Sequence, residues 1–289
     1  MAAAASSDRI AVLGAGVMGT GIAQVFAQFG FAVAQTDVSE AVLTRATTAM
    51  RRNLEGLAAK GKLAAEEVER TLGRIRQTTV LEDAAGDATF VVEAVLEDLE
   101  TKKRVFAELD RACAPGTVLA SNTSILSPTE IAAATKRPDR CIGMHFMNPA
   151  PIMRLVELVP GLLTSEATVE ATRAMAGRIG KTAVVAREAP GGIVSRIMMA
   201  MRNEAVDILA DGVATAEEID TAMRLGAGFP IGPLALIDLV GVDLHVTNSD
   251  SMVRETGNPK YRPHPLLRKM VRAGLLGRKS GRGFYRYEQ

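Results

Sequence analysis

The feature that most constrains this chain is a glycine triplet near its beginning, Gly14-Ala-Gly16-Val-Met-Gly19. The spacing is GxGxxG, which alone is a weak signal. Here a short apolar run, Arg9-Ile-Ala-Val-Leu-Gly14, precedes it and reads as a buried strand. A helical pattern follows from Met18 to Gln28 and stops at Gly30, and Phe31-Ala-Val-Ala-Gln-Thr-Asp37 reads as the next strand. In such a βαβ unit the glycines permit a tight turn, close approach of backbone to a pyrophosphate, and tight helix–strand packing. The helix N-terminus offers unpaired N–H groups and a positive dipole end to the phosphates. Gly14, Gly16, Val17, Met18 and Gly19 are therefore the expected phosphate-side contacts.

Asp37 ends the second strand, 18 residues after Gly19. A carboxylate there accepts hydrogen bonds from a ribose 2′-hydroxyl and repels a 2′-phosphate. No arginine follows it directly, so the expected cofactor is NAD rather than NADP. The competing reading is that Asp37 merely caps the next helix and the glycines merely turn the chain.

From Ser39 to about Thr78 the composition predicts a pair of helices turning near Lys60-Gly61-Lys62. Further short strands are expected at Thr89–Ala94, Thr117–Ser121, Cys141–His145, Arg154–Val159 and Thr182–Ala186, with helices around 98–113, 127–136 and 166–179. That alternation predicts an α/β fold: a Rossmann-type domain with a mostly parallel sheet. After Pro190-Gly191-Gly192 only helical periodicity remains, and Thr215-Ala-Glu-Glu218 reads as a capping box. The expected division is residues 1–187 for an NAD-binding domain and 188–289 for a smaller all-helical domain that serves substrate binding and dimerisation. At 289 residues, two domains are the natural expectation.

With 47% hydrophobic and 23% charged residues, the chain reads as an ordinary globular protein, and a net charge of +1 argues against a nucleic-acid-binding surface. Cys113 and Cys141 belong to no CxxC pair, so neither metal nor disulfide is expected and a reduced, cytoplasmic setting fits. The leader Met1–Ser7 has no basic n-region or long apolar core, and no apolar run reaches the ~20 residues of a membrane span.

Only three histidines are available. His145 ends a strand, and in open α/β sheets ligands bind beyond the carboxyl ends of strands. His245 falls in a helical stretch and His264 lies between two prolines; both read as structural or exposed. Glu157 interrupts the apolar run Leu155-Val-Glu-Leu-Val159. A carboxylate buried there costs several kcal/mol unless paired, and a histidine is a suitable partner. The alternative is an outward-facing charge on an edge strand. Ser121-Asn122-Thr123-Ser124 follows another strand; such a run can position a substrate hydroxyl, and is equally common as a turn.

Several ordered segments together resemble one family. They are Gly14–Gly19 with Asp37, Val92-Glu-Ala-Val-Leu-Glu97, Ser121-Asn-Thr-Ser124, His145-Phe-Met-Asn-Pro149, Leu155-Val-Glu157, Leu225-Gly-Ala-Gly228 with Gly232-Pro233, and Gly281-Arg-Gly-Phe-Tyr285. From about Arg9 onward the chain resembles the short-chain 3-hydroxyacyl-CoA dehydrogenases, especially the bacterial 3-hydroxybutyryl-CoA dehydrogenases. The resemblance implies that His145 is the general base, that Glu157 orients it, and that Ser124 hydrogen-bonds the reacting oxygen. It implies substrate contacts at Asn148, Asn53 and Lys60, the last two against CoA, although the family often has serine where Asn53 stands. It also implies cofactor contacts at Ala94, Glu97, Lys102, Asn122 and Lys279. An acyl-CoA substrate and a homodimer are the implied partners, with an acyl-carrier substrate as the alternative.

There is one departure from the pattern. Where the family reads Pro-Gly-Phe-x-x-Asn-Arg, this chain reads Pro190-Gly-Gly192-Ile-Val-Ser195-Arg196. Ser195 would replace the usual asparagine contact and Gly192 an aromatic wall, which puts the acyl specificity in question.

Overall fold

A computed structural model describes residues 8–288 of the chain; the leader lies outside the described residues. The chain divides into two compact units, residues 1–189 and 190–289. The first contains β1 (Arg9–Leu13), α1 (Val17–Gln28), β2 (Ala32–Thr36), α2 (Glu40–Ala59), α3 (Glu66–Leu72), β3 (Ile75–Thr78), α4 (Leu81–Ala85) and β4 (Phe90–Glu93). It continues with α5 (Leu99–Ala112), β5 (Val118–Ser121), α6 (Pro128–Ala132), β6 (Cys141–Phe146), β7 (Leu155–Pro160), α7 (Glu166–Arg178) and β8 (Thr182–Val185).

The strands form one sheet in the order β3-β2-β1-β4-β5-β6-β7-β8. Every pairing is parallel except β6 with β7. Because the chain runs outward from β1 in one direction and from β4 in the other, the order reverses between these two strands. A crevice opens at such a point beyond the carboxyl ends, and ligands bind there. Both faces of the sheet are covered. Ile10 and Val12 join a core with α1 and α7 on one side, while Ala11 and Leu13 join a core with α5 on the other. Burial on both faces explains why the central strands read as continuous apolar runs.

Two elements depart from the sequence reading. β3 lies within a stretch expected to be helical, and α4 has no counterpart in that reading. β3 reads Ile-Arg-Gln-Thr and sits at the sheet edge, half-buried, so it carries neither an apolar run nor a clean alternation.

The second unit is helical: α8 (Val194–Ala210), α9 (Ala216–Gly226), α10 (Pro233–Val240), α11 (Val242–Thr256) and α12 (Pro265–Arg272). The capping box at Thr215 and Glu218 opens α9. Two buried carboxylates organise this unit. Asp220 accepts from the N–H groups of Leu234 and Ala235 at the start of α10, both at 2.8 Å, and from the Tyr285 hydroxyl. Asp238 accepts from the Phe284 and Tyr285 N–H groups at 3.0 and 2.9 Å and from the Tyr287 hydroxyl. Gly283 lies so close that a Cβ there would come within 2.0 Å of Asp238 Oδ1, which accounts for the glycine in Gly281-Arg-Gly-Phe-Tyr285. Among the described residues, no helix is long and apolar enough to cross a membrane.

Candidate active site

The glycine turn has the shape its spacing predicted. Gly14 has φ +98°, and a Cβ on it would lie 2.4 Å from the Ala94 carbonyl oxygen. A Cβ on Gly19 would lie 2.0 Å from the Gly14 carbonyl oxygen. Around Gly16, by contrast, a Cβ would meet nothing within 4 Å. Two glycines are thus demanded by packing, while the middle one keeps the backbone open on the ligand side. Gly16 is the N-cap of α1, no side chain caps the helix, and its first turn holds no acidic residue. The N–H groups at Val17 and Met18 therefore meet an incoming anion without a competing carboxylate.

Asp37 Oδ2 accepts the Ala15 N–H at 2.8 Å, and Oδ1 accepts the Ser39 N–H at 3.3 Å. The N-cap of α2 is Ser39, not Asp37. Asp37 instead ties the end of β2 to the glycine turn and remains half-buried. Its carboxylate retains lone pairs beyond those two bonds.

At the far end of β6, His145 lies directly opposite Glu157 in the antiparallel β6–β7 pair. His145 Nδ1 is 3.1 Å from Glu157 Oε2, and the Glu157 side chain is 1% exposed. The antiparallel register places both side chains on one face, so the charge interrupting β7 is an internal partner rather than an edge charge. With Glu157 accepting, Nδ1 carries the proton and Nε2 is the basic nitrogen. Asn122 Oδ1 accepts the Phe146 N–H at 2.8 Å, which ties the end of β5 to the residue after His145. Asn148 follows on the exposed loop.

The run Ser121–Ser124 is held from below. Glu97 Oε1 accepts from Thr123 Oγ1 at 2.6 Å and from the N–H groups of Ser124 at 2.8 Å and Ile125 at 3.2 Å. Burial favours the neutral acid at Glu97. The Lys102 ammonium and these hydrogen bonds outweigh it and keep the carboxyl below the usual carboxylate range. Lys102 is 1% exposed and its Nζ lies 2.6 Å from Glu93 Oε1 and 3.3 Å from Glu97 Oε2. It underlies the site rather than presenting an open face to it.

Asn53 and Lys60 are exposed, Asn53 on α2 and Lys60 at its C-cap. Arg51 is drawn away by a two-pronged pair with Glu69. In the helical unit, Ser195 is the second residue of α8 and half-buried, and Gly192 has φ +49°. Lys279 pairs with Asp243 at 2.6 Å.

The remaining histidines are structural. His245 Nε2 hydrogen-bonds Asn203 Oδ1 at 2.9 Å, and burial together with the Arg202 charge pushes its pKa down to about 3. His264 caps α12 by accepting the Leu266 N–H. Cys113 and Cys141 are free and buried, with thiols pushed up by burial to about 11, and so are poor nucleophiles.

Two family models cover the chain: the 3-hydroxyacyl-CoA dehydrogenase NAD binding domain over residues 9–189 and the C-terminal domain of the same family over residues 191–287. The chain belongs to the 3-hydroxyacyl-CoA dehydrogenase family. A Bacillus subtilis relative described as a probable 3-hydroxybutyryl-CoA dehydrogenase is 47% identical over 97% of this chain and 98% of its own. The 3-hydroxybutyryl-CoA dehydrogenase of Clostridioides difficile is 46% identical, over 97% of this chain and all of its own length. Among solved structures, (S)-3-hydroxybutyryl-CoA dehydrogenase from Ralstonia eutropha superposes with a TM-score of 0.91 at 41% identity, covering 98% of this chain and 100% of that one. As a 3-hydroxyacyl-CoA dehydrogenase the chain is an oxidoreductase, its cofactor is NAD, and the open cradle at Gly16 fits that cofactor's pyrophosphate.

Two residues at this site escaped the sequence reading. Lys181 Nζ donates to the Ala150 and Met153 carbonyls at 2.6 and 2.7 Å, holding the loop that carries Asn148. No local sequence signal marks such a lysine. Glu93 did leave a signal: like Glu157, it is a charge at the end of an apolar strand, Phe90-Val-Val-Glu93.

Proposed function

We propose that the chain oxidises the 3-hydroxyl of (S)-3-hydroxybutyryl-CoA to the 3-keto thioester, reversibly, with NAD. NAD supplies the acceptor for the hydride that leaves C3. His145 Nε2 takes the hydroxyl proton, and Glu157 stabilises the imidazolium that results. A positioned base of this kind contributes roughly 10²–10⁴ in rate. Ser124 hydrogen-bonds the reacting oxygen, and Asn148 holds the substrate near His145. Asp37 receives the adenosine ribose hydroxyls, while Ala94, Glu97, Lys102, Asn122 and Lys279 complete the cofactor's surroundings. Asn53 and Lys60 meet CoA. The observation that carries this reading is the His145–Glu157 pair at the carboxyl end of β6. Among the described histidines, His145 alone combines a strand end with a buried carboxylate.

NADH formation followed at 340 nm tests it, with the (S) and (R) thioesters side by side. Turnover of the (S) form, lost in His145→Gln, is the expected result; equal turnover of both enantiomers, or none of either, overturns the reading.

Ser195 and Gly192 favour a second reading, in which the preferred acyl group is larger than four carbons or is tethered to a carrier protein. A serine reaches less far than an asparagine, and a glycine leaves space. Activity measured across chain lengths and on carrier-bound substrates separates the two. A cytoplasmic homodimer active in fatty-acid metabolism completes the proposal; the buried, unpaired thiols are compatible with a reducing compartment.

A further inference from the structure

Glu93 closes β4 and is fully buried, yet no role in binding or proton transfer falls to it. A carboxylate in that position is costly unless its lone pairs are used. They are used, and in one direction. Oε2 accepts the Ser121 hydroxyl at 2.6 Å, while Oε1 accepts the Val95 N–H at 2.8 Å and the Lys102 ammonium at 2.6 Å. Lys102 reaches on to Glu97 Oε2, and Glu97 Oε1 gathers Thr123 Oγ1 with the N–H groups of Ser124 and Ile125.

The two ends of Ser121–Ser124 are therefore fixed by one chain of charges. Glu93 grips Ser121 directly, and grips Ser124 through Lys102 and Glu97. A neutral hydrogen-bond network could hold the same loop, but charge-assisted bonds are shorter and about twice as strong. Lys102 also supplies what a lone Glu97 would lack, a counter-charge that keeps its carboxylate ionised and accepting from three donors at once.

We propose that Glu93 is a positioning residue: through Lys102 and Glu97 it sets the place of Ser124, and with it the hydrogen bond to the reacting oxygen. This rests on the role given to Ser124 above. Misplacing such a group by about 1 Å costs rate even when the base is intact.

Two variants of the full chain test it. Glu93→Gln keeps the shape and an acceptor for Ser121. The double variant Glu93→Gln with Lys102→Met removes both charges of the fully buried pair and leaves only Glu97, whose side chain is 34% exposed, without its lysine. Hydrogen exchange in the NAD-free protein is the first readout. The Ser124 and Ile125 amides should exchange roughly tenfold faster in both variants, with the amides of β1 unchanged. Kinetics on (S)-3-hydroxybutyryl-CoA is the second: kcat should fall about tenfold while KM for the thioester stays within about threefold. Unchanged protection of both amides, or a wild-type kcat, in a folded variant overturns the proposal. If the double variant does not fold, Glu93→Gln carries both readouts. If the wild type does not oxidise the thioester, the proposed reaction falls, and amide exchange alone decides the positioning role.

Discussion

At the scale of single residues, two positions carry sharp consequences. His145 is joined to Glu157 through Nδ1, which leaves Nε2 as the proposed base. His145→Gln is expected to fold and bind NAD while kcat drops by about 10²–10⁴, the range that general-base catalysis supplies. Titration calorimetry for NAD and steady-state rates check the two halves separately. Asp37 faces the second test. A 2′-phosphate beside its carboxylate is repelled, so kcat/KM should favour NAD over NADP by on the order of 10²-fold or more, since like-charge juxtaposition costs several kcal/mol. Comparable efficiency with both cofactors would remove Asp37 from that role. Because Asp37 also holds the Ala15 N–H, Asp37→Ala should weaken NAD as well as relax the choice.

At the scale of elements, the start of α8 and the length of α11 each bear on a measurable property. Ser195→Asn, in the first turn of α8, is expected to raise kcat/KM for the four-carbon thioester roughly tenfold, the worth of one hydrogen bond. The matching change Gly192→Phe meets an obstacle the sequence did not reveal. At φ +49° a side chain is strained by about 1–3 kcal/mol, so the double variant should lose melting temperature relative to Ser195→Asn alone. If neither replacement alters the chain-length profile, the enlarged-pocket reading is wrong. On α11, His245 is held neutral with a pKa near 3 against an unfolded value of 6.5. The unfolded chain then binds the extra proton, so stability is full above about 6.5 and falls as pH drops toward 3, by up to about 1.4 kcal/mol per pH unit. Denaturant midpoints between pH 7 and pH 5 should fall less in His245→Gln than in the wild type, the protonation having been removed.

On the scale of the whole molecule, the expected homodimer bears on how the helical unit uses its apolar residues. Leu234 and Ile237 join its own core, and Met199 is buried as well. Ile197, Leu225 and Leu239 stay exposed, and light scattering at micromolar concentration should give twice the chain mass if they are covered by a second copy. A monomer mass would end that reading. Much of this architecture was legible beforehand, because central parallel strands are buried on both faces and show as unbroken apolar runs, as in Phe90-Val-Val and Val118-Leu-Ala. β3 was not legible, being an edge strand with one apolar residue, Ile75, followed by three polar ones. Of the candidate site, the glycine turn and the His145–Glu157 pair were readable because each breaks a local pattern. Lys181 was not, since its ammonium serves backbone carbonyls, which any sequence possesses.

The antiparallel β6–β7 pairing also bears on how such an enzyme could be redesigned. The proposed proton-transfer couple sits on two paired strands, whereas Asn148 sits on the loop that joins them. The buried residues of β6 and β7 specify the strand register strongly, since a slip by one residue would turn every side chain to the other face. A foreign loop grafted between Met147 and Arg154 could therefore change what is gripped while His145 and Glu157 remain opposed. The graft would need to keep two carbonyls where those of Ala150 and Met153 now meet Lys181, since that lysine is the mooring of the present loop.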